Sequence, residues 1–199
     1  PGVNDDMFVR PSTSEISSTL ETLGISAPFM LCVNTLNPRK NHARLVKAWE
    51  KGGFAGDGWT LVLVGHAAGN PLAQQLKAQK YANVVWLGYV SRQQLRHLYY
   101  GCEIFVYPPL YEGYGIPVAE AVVAGKPVIT TQRSSMAEIV GQNAIYIDPV
   151  DISNMASGLR QMIDDVSLRI RFAECSELRR QEFSLKHVAQ DLLAVYRSL

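Results

Sequence analysis

The feature that most constrains this chain is an alternation of short, uninterrupted apolar runs with longer amphipathic stretches. Six such runs occur, at 29–33, 59–64, 83–87, 103–107, 127–130 and 144–147. Because their apolar residues are continuous rather than alternating, the runs are typical of strands that are covered on both faces. Strands of this kind belong to parallel sheets that lie between layers of helices.

Helical patterns fill most of the gaps between these runs. Asn41 is placed to cap a helix that extends to about residue 51, and Ser91 is placed to cap another. We predict further helices at 71–80 and, in succession, from 151 to 199. The last of these carries an apolar stripe formed by Leu185, Val188, Leu192, Tyr196 and Leu199.

This alternation predicts an α/β fold with a Rossmann-like, doubly wound parallel sheet of about six strands, flanked by helices and followed by a helical C-terminal tail. Residues 1–27 are richer in Ser, Thr, Asp and Pro and are predicted to form a linker segment. Residues 28–182 would form the sheet domain, and residues 183–199 a C-terminal helix. Sheets of this type bind ligands on the loops at the carboxyl ends of their strands.

Charge, hydropathy and cysteine usage argue against several classes of function. The formal net charge is +1, which gives no electrostatic case for nucleic acid as a partner. No apolar run approaches the roughly 18 residues of a membrane-spanning helix. Cys32, Cys102 and Cys175 lie far apart, a spacing that favours neither a disulfide framework nor a metal site. Together these features predict a cytoplasmic protein.

The most informative stretch follows the fourth run and extends from 108 to 125. Pro117 suits the first turn of a helix, and Gly125 suits the end of that helix. Between 116 and 124 Glu120 is the only charged residue, so we expect a buried helix. A buried carboxylate needs hydrogen-bond donors. Hydroxyls of a bound ligand, Lys126 or a backbone group could supply them.

Two further groups of residues lie at the predicted ligand edge. Gly113 and Gly115 directly precede the buried helix, where a close backbone approach and free N–H groups favour an anion. Arg39 and Lys40 follow the first run, and two cations at a helix start can hold a diphosphate. With Glu112 and Glu120 as acceptors, this combination suits a sugar attached to a phosphate. A simple turn and a solvated basic pair are the structural alternatives.

The stretch from Glu112 to Glu120, two glutamates separated by seven residues, resembles the signature of the group 1 family of retaining glycosyltransferases, which have the two-domain GT-B fold. Residues 36–41 resemble the phosphate-binding loop of that family, and residues 85–90 resemble the segment beside the nucleotide base. Further matches follow in order at 124–128, 136–140 and 147–149. The resemblance covers about the whole chain. It implies the second half of a GT-B enzyme, the donor-binding domain.

The resemblance also implies roles for the charged residues. Glu112 would hydrogen-bond the donor sugar and help to stabilise positive charge at the anomeric carbon. Lys40 and Arg39 would neutralise the diphosphate leaving group, and Glu120 would accept hydrogen bonds from the ribose hydroxyls. Many members carry Gly-Arg at the end of the first strand, where this chain has Asn34-Thr35. Arg39 would then take the place of that arginine.

The remaining candidate residues surround these charges. The resemblance places the sugar and the distal phosphate against the backbone, and the base beside the end of the third strand. The candidates for these contacts are Gly113, Tyr114, Gly115, Ile116, Tyr89, Val90, Thr35 and His66. His66 belongs to the set because it follows the second run at the same edge.

The implied activity is the transfer of a hexose from a UDP- or GDP-sugar to a glycan or lipid-linked acceptor, as in polysaccharide synthesis. It would retain the anomeric configuration and need neither a metal nor another cofactor. Most acceptor contacts would lie on a preceding N-terminal domain, so this chain alone would be inactive. The longer protein could work at the inner face of the cytoplasmic membrane.

Three alternatives stay open at this point. An epimerase or a phosphorylase of the same architecture would also bind a sugar phosphate. A non-catalytic nucleotide-binding module would need the same loops without the chemistry. Dinucleotide binding is a weaker alternative, because no GxGxxG follows the first run.

Overall fold

A parallel sheet of six strands organises the protein, whose computed structural model describes residues 2–66, 74 and 78–198. The strands are Phe29–Val33 (β1), Thr60–Val64 (β2), Val84–Gly88 (β3), Ile104–Tyr107 (β4), Val128–Thr130 (β5) and Ala144–Tyr146 (β6). Their order is β3-β2-β1-β4-β5-β6, and every pairing is parallel. This order confirms the predicted doubly wound sheet and places its switch point between β1 and β4.

Helices cover both faces of this sheet. Within the described residues they are Thr13–Thr22 (α1), His42–Gly52 (α2), Arg92–Gly101 (α3), Ile116–Val123 (α4), Met136–Val140 (α5), Ile152–Asp164 (α6), Val166–Arg179 (α7) and Leu185–Arg197 (α8). Short 3-10 turns lie at Asp5–Phe8, Pro38–Lys40 and Arg180–Phe183. Most of the helix predicted at 71–80 falls outside the described residues.

The core consists of two apolar clusters, one on each side of the sheet. Phe29, Leu31 and Val33 of β1 belong to the cluster under α3 and α4. Met30 and Cys32 alternate with them and belong to the cluster under α2 and α6. Since every residue of β1 is buried, a continuous apolar run is what this strand requires.

The predicted helix boundaries are largely confirmed, with one correction. Ser91 caps α3 through a capping box with Gln94. Pro117 lies in the first turn of α4, and Gly125 follows that helix with a φ of +69°. Asn41 precedes α2, but its side chain makes no cap. The Asn41 amide instead donates to the carbonyl oxygens of Pro108 at 3.0 Å and Pro149 at 2.7 Å, which ties three loops together.

The two ends of the chain differ in how they pack. Residues 2–27, predicted as a linker segment, contain a 3-10 turn and α1, and they bury Val3, Met7 and Ile25 in the core. Ser12 and Glu15 form a capping box at the start of α1, a sequence signal for a helix within this segment. Helix α8 buries none of its described residues. None of the helices in the described ranges is long and apolar enough to cross a bilayer.

Candidate functional site

The loops after β1 and β4 meet at the switch point of the sheet. Residues 34–41 connect β1 to α2, and residues 108–115 connect β4 to α4. The backbone N–H of Leu110 donates to the carbonyl of Arg39 at 2.9 Å, which joins the two loops directly. The switch point is where open α/β sheets bind their ligands.

Lys40, Tyr107 and Glu112 form a compact polar cluster between these loops. Lys40 Nζ lies 2.9 Å from Tyr107 Oη and also contacts Glu112 Oε2 directly. Tyr107 Oη donates to Glu112 Oε2 at 2.7 Å. Lys40 and Glu112, which the sequence analysis assigned separately to the diphosphate and the sugar, therefore contact each other. Tyr107 is a third member of the cluster that the sequence interpretation did not include.

Arg39 lies at the rim of this cluster. Its Nη1 donates to the backbone carbonyl of Tyr111 at 3.0 Å and lies 3.7 Å from Glu112 Oε1. The Arg39 side chain is 44% exposed, whereas that of Lys40 is 11% exposed. The exposed guanidinium can thus turn toward an anion more easily than the buried ammonium can.

The cluster keeps Glu112 ionised and Tyr107 protonated. Burial by itself would raise the pKa of Glu112, but hydrogen bonds from Lys40, Tyr107 and the Gly113 N–H together lower it. The pKa of Tyr107 is raised, first by burial and then by the neighbouring Glu112 carboxylate. A negative charge and a basic pair therefore face the same small region at neutral pH.

The start of α4 lies next to Glu112, as the sequence predicts. Gly115 is the N-terminal cap residue, with a φ of +97°, and Ile116 is 45% exposed at the first helical position. The N–H of Gly113 is already used, since it donates to Glu112 Oε1 at 3.0 Å. Tyr114 is partly buried against the core. The N–H groups that open a helix have no intrahelical acceptor, so those at the start of α4 are suited to an anion.

Two serines in the loop after β5 hydrogen-bond to the backbone around Gly113. The N–H of Glu112 donates to Ser134 Oγ at 3.3 Å, and Ser135 Oγ donates to the carbonyl of Tyr114 at 2.5 Å. Ser134 has a φ of +58°, a left-handed conformation that is uncommon for a residue with a side chain. These contacts fix the backbone on both sides of Gly113.

Glu120 is buried one turn into α4, at 6% exposure, and it is paired within the protein. Tyr99 Oη donates to its Oε2 at 2.9 Å, and Arg92 Nη1 lies 3.4 Å from its Oε1. Burial raises the pKa of Glu120, against the opposing effect of Tyr99 and Arg92. Lys126, the structural alternative, instead donates to the carbonyl of Tyr100 at 2.7 Å.

A cleft of about 230 Å³ lies on the other side of the switch point, above the ends of β1, β2 and β3. Four of the predicted residues line it: Thr35, His66, Tyr89 and Val90. Tyr89 is 84% exposed, so its ring is available to a planar ligand. The structure therefore places the two candidates for base binding, Tyr89 and Val90, in one cleft with Thr35 and His66, apart from Lys40 and Glu112.

Sequence reasoning missed Tyr107, Tyr99, Arg92 and Ser134. Tyr107 is the last residue of β4, and its position at a strand's carboxyl end is a signal that could have indicated it. The other three lie on elements far from Glu112 and Glu120 in sequence. Within the described ranges, no group of three or more His, Cys, Asp or Glu side chains is placed to hold a metal ion.

Comparison with known proteins identifies the class of protein to which this fold and site belong. The family described as "Glycosyl transferases group 1" matches residues 21–179. The chain therefore belongs to the group 1 glycosyltransferases, as the spacing of Glu112 and Glu120 indicated.

The individual relatives share less than a third of their aligned residues with this chain. The O-antigen chain mannosyltransferase B of Escherichia coli is 28% identical over 175 residues, which cover 86% of this chain and 46% of that protein. A glycosyltransferase from Rickettsia africae superposes with a TM-score of 0.84 at 20% identity, over 99% of this chain and 55% of that one. Anabaena HepE, solved with UDP-glucose, superposes with a TM-score of 0.82 at 23% identity, over 100% of this chain and 56% of that one. This chain thus spans about half the length of each of these three proteins.

Proposed function

We propose that this chain is the donor-binding domain of a retaining glycosyltransferase that moves a hexose from a nucleoside diphosphate sugar to a glycan or lipid-linked acceptor. The observation that carries the proposal is the cluster of Lys40, Tyr107 and Glu112, with Arg39 beside it, at the switch point of the sheet. It supplies cations for a diphosphate and an ionised carboxylate for sugar hydroxyls at one place.

The reaction uses these charges in opposite ways. As the bond between the anomeric carbon and the phosphate oxygen breaks, negative charge grows on the diphosphate, and Lys40 and Arg39 stabilise it. Positive charge grows on the sugar ring, and the Glu112 carboxylate stabilises that. An acceptor hydroxyl then bonds to the anomeric carbon on the face that the diphosphate leaves, and its proton passes to the departing phosphate oxygen. We expect no metal ion to be needed, because the two cations can neutralise the leaving group.

The donor lies along the edge of the sheet in this proposal. Glu120 accepts hydrogen bonds from the ribose, and the base occupies the cleft of Tyr89 and Val90. The relatives suggest the class of sugar: several matched proteins are named mannosyltransferases, and HepE was solved with UDP-glucose. We therefore expect a UDP- or GDP-hexose, with the acceptor bound mainly by a preceding domain. The cytoplasm supplies such donors, and the longer protein would work there or at the inner face of the membrane.

Calorimetric titration of the chain with UDP, GDP, ADP, dTDP and NAD, without metal, tests the proposal. We expect one nucleoside diphosphate to bind selectively and to lose affinity in Glu120→Ala. Binding of NAD alone, or equal binding of all five ligands, would contradict a sugar-nucleotide site.

Lys40→Ala tests the phosphate role separately. It should weaken binding of the nucleoside diphosphate about tenfold or more, because a charge-assisted contact is lost, and should barely change binding of the bare nucleoside. Lys126→Ala is the matched control, since that lysine precedes β5 and donates to the carbonyl of Tyr100 near the end of α3, on the opposite edge of the sheet. Equal losses for nucleoside and diphosphate would rule out the role of Lys40.

A further inference from the structure

Asp6, near the start of the chain, is connected to the buried Glu120 through Arg92. Asp6 accepts two hydrogen bonds from Arg92, from Nε at 2.8 Å and from Nη2 at 2.8 Å. The remaining arm, Arg92 Nη1, lies 3.4 Å from Glu120 Oε1. Within the described ranges, Arg92 is the cation that contacts Glu120.

The turn that carries Asp6 is fixed to the domain. Met7 is fully buried, and its carbonyl accepts a hydrogen bond from Tyr100 Oη at 2.7 Å. Arg96 donates to the carbonyl of Asp6 at 3.3 Å, and Arg180 donates to the carbonyl of Phe8 at 2.9 Å. Because three side chains hold the backbone of this turn, Asp6 presents its carboxylate to Arg92 in one defined position.

The geometry divides the Arg92 guanidinium unequally between two carboxylates. A guanidinium prefers to bind one carboxylate through two parallel hydrogen bonds. Asp6 takes that arrangement, so Glu120 keeps only a long contact to Arg92 and a short one to Tyr99. The negative charge of Glu120 is thus balanced by a nearby cation, while its Oε1 is not occupied by a full-strength hydrogen bond.

We propose that Asp6 and Arg92 are positioning residues for the nucleotide: by binding Arg92 in two places, Asp6 keeps Oε1 of Glu120 open to the ribose hydroxyls. This inference rests on the proposed function, in which Glu120 binds the ribose. Without Asp6, Arg92 turns its full fork onto Glu120 and competes with the ligand. With lysine in place of Arg92, the cation cannot be held by Asp6 through two hydrogen bonds and is free to pair with Glu120. Both changes weaken nucleotide binding, because both disturb the hydrogen bond between Glu120 and the ribose hydroxyls.

Nucleotide affinities of variants of the Asp6–Arg92–Glu120 contact, compared with a variant of an unrelated ion pair, test this inference. The ligands are UDP and GDP, each compared with its 2′,3′-dideoxy analogue, and the variants are Asp6→Asn, Arg92→Lys and Glu120→Gln. Asp57→Asn is the control. Asp57 forms an ion pair with Arg160 at 2.7 Å, and this pair is about as exposed as that of Asp6 and Arg92. It lies beside Phe54, in the core cluster on the other side of the sheet. Circular dichroism and thermal unfolding of every variant establish that it is folded.

We expect Asp6→Asn and Arg92→Lys to weaken binding of the ribonucleotide about fivefold, the effect of losing one hydrogen bond. Binding of the dideoxy analogue should be unchanged, as should all binding to Asp57→Asn. Adding Asp6→Asn to Glu120→Gln should cause no further loss, since both act on one contact.

Other outcomes overturn the inference in distinguishable ways. If Glu120→Gln loses ribonucleotide affinity while folded Asp6→Asn and Arg92→Lys do not, the role of Asp6 is wrong and the proposed function stands. Equal losses for ribonucleotide and dideoxy analogue would also reject the ribose connection. If the unmodified chain binds neither UDP nor GDP, the proposed function fails, and the inference fails with it.

Discussion

Lys40 is the side chain on which the candidate site most depends. It is 11% exposed, and its ammonium contacts both Glu112 and the hydroxyl of Tyr107. A buried lysine is costly unless it is paired, so these two contacts explain how the charge is kept in place. A bound diphosphate would share this ammonium with Glu112 rather than meet a free one. Lys40 is therefore important to the architecture of the site as well as to the proposed chemistry.

His42, two residues further along, makes stability depend on pH. Its ring is buried, and Nε2 has no hydrogen-bond partner among the described residues. Burial, and then the charge of Lys40, lowers the pKa of His42 to about 4. In the unfolded chain a histidine binds a proton near pH 6.5, at about its ordinary pKa. The unfolded state therefore binds more protons between these values, and stability falls as the pH falls through that window.

We expect His42→Gln to remove most of this dependence. Between pH 7 and 4.5 the parent should lose about 2 kcal/mol more stability than the variant, measured by urea unfolding at each pH. His187→Gln, at a histidine that is 47% exposed on α8, should follow the parent. Parallel stability curves for the parent and His42→Gln would show that His42 is not the group responsible.

At the scale of elements, the ends of β1 and β2 shape the cleft. Gly65 follows β2 with a φ of +150°, and a Cβ there would lie 1.7 Å from the carbonyl oxygen of Asn34. The N–H of Asn34 donates to the carbonyl oxygen of Val64 at 2.9 Å, and the N–H of Gly65 donates to the carbonyl oxygen of Gly88 at 2.8 Å. The backbones of three strand ends therefore approach so closely that only glycine fits at Gly65, and this contact forms a wall of the cleft.

Gly65→Ala should destabilise the fold and weaken nucleotide binding. Gly58→Ala is the matched control, because Gly58 has a φ of +81° and a Cβ there would meet no atom within 4 Å. The control should cost about 1–2 kcal/mol for the left-handed conformation alone. Gly65→Ala should cost a further 1–3 kcal/mol, roughly the cost of overpacking, measured by urea unfolding. Equal costs for the two variants would contradict the close approach.

At the scale of the whole molecule, this chain spans about half the length of several proteins that it resembles. It covers 46% of the Escherichia coli mannosyltransferase and 56% of HepE. The candidate groups lie along the carboxyl edge of a single sheet, where they can hold one substrate. A transfer reaction also needs a surface for the acceptor, and in our proposal a preceding domain supplies most of it.

These 199 residues alone should bind the donor nucleotide and transfer no sugar. Release of UDP or GDP from UDP-glucose and GDP-mannose, with a mannose-containing oligosaccharide as acceptor, measures this. The full-length Escherichia coli relative serves as the positive control. Turnover by the isolated chain, above that of its Glu112→Gln variant, would refute the proposal that the acceptor binds elsewhere.

Much of the fold could be predicted from the sequence, because strands and helix ends are marked by residues within the elements themselves. Each apolar run is sufficient to indicate a strand, and Ser91, Pro117 and Gly125 mark helix ends through their own backbone preferences. The spacing of Glu112 and Glu120 indicated the family. Asn41 shows where local reasoning fails: its amide reaches carbonyls 67 and 108 residues away, which offer better partners than the helix end.

Only the tertiary structure decided which charges meet. Lys40 and Glu112 are 72 residues apart and Asp6 and Arg92 are 86 apart, so no spacing rule connects them. The sequence by itself determined the strands, the helix ends and the charged residues that a sugar phosphate would need. The order of the strands then brought the loops after β1 and β4 together. Pairing follows from this because the side chains of a doubly wound sheet meet at its edge according to strand order, not chain order.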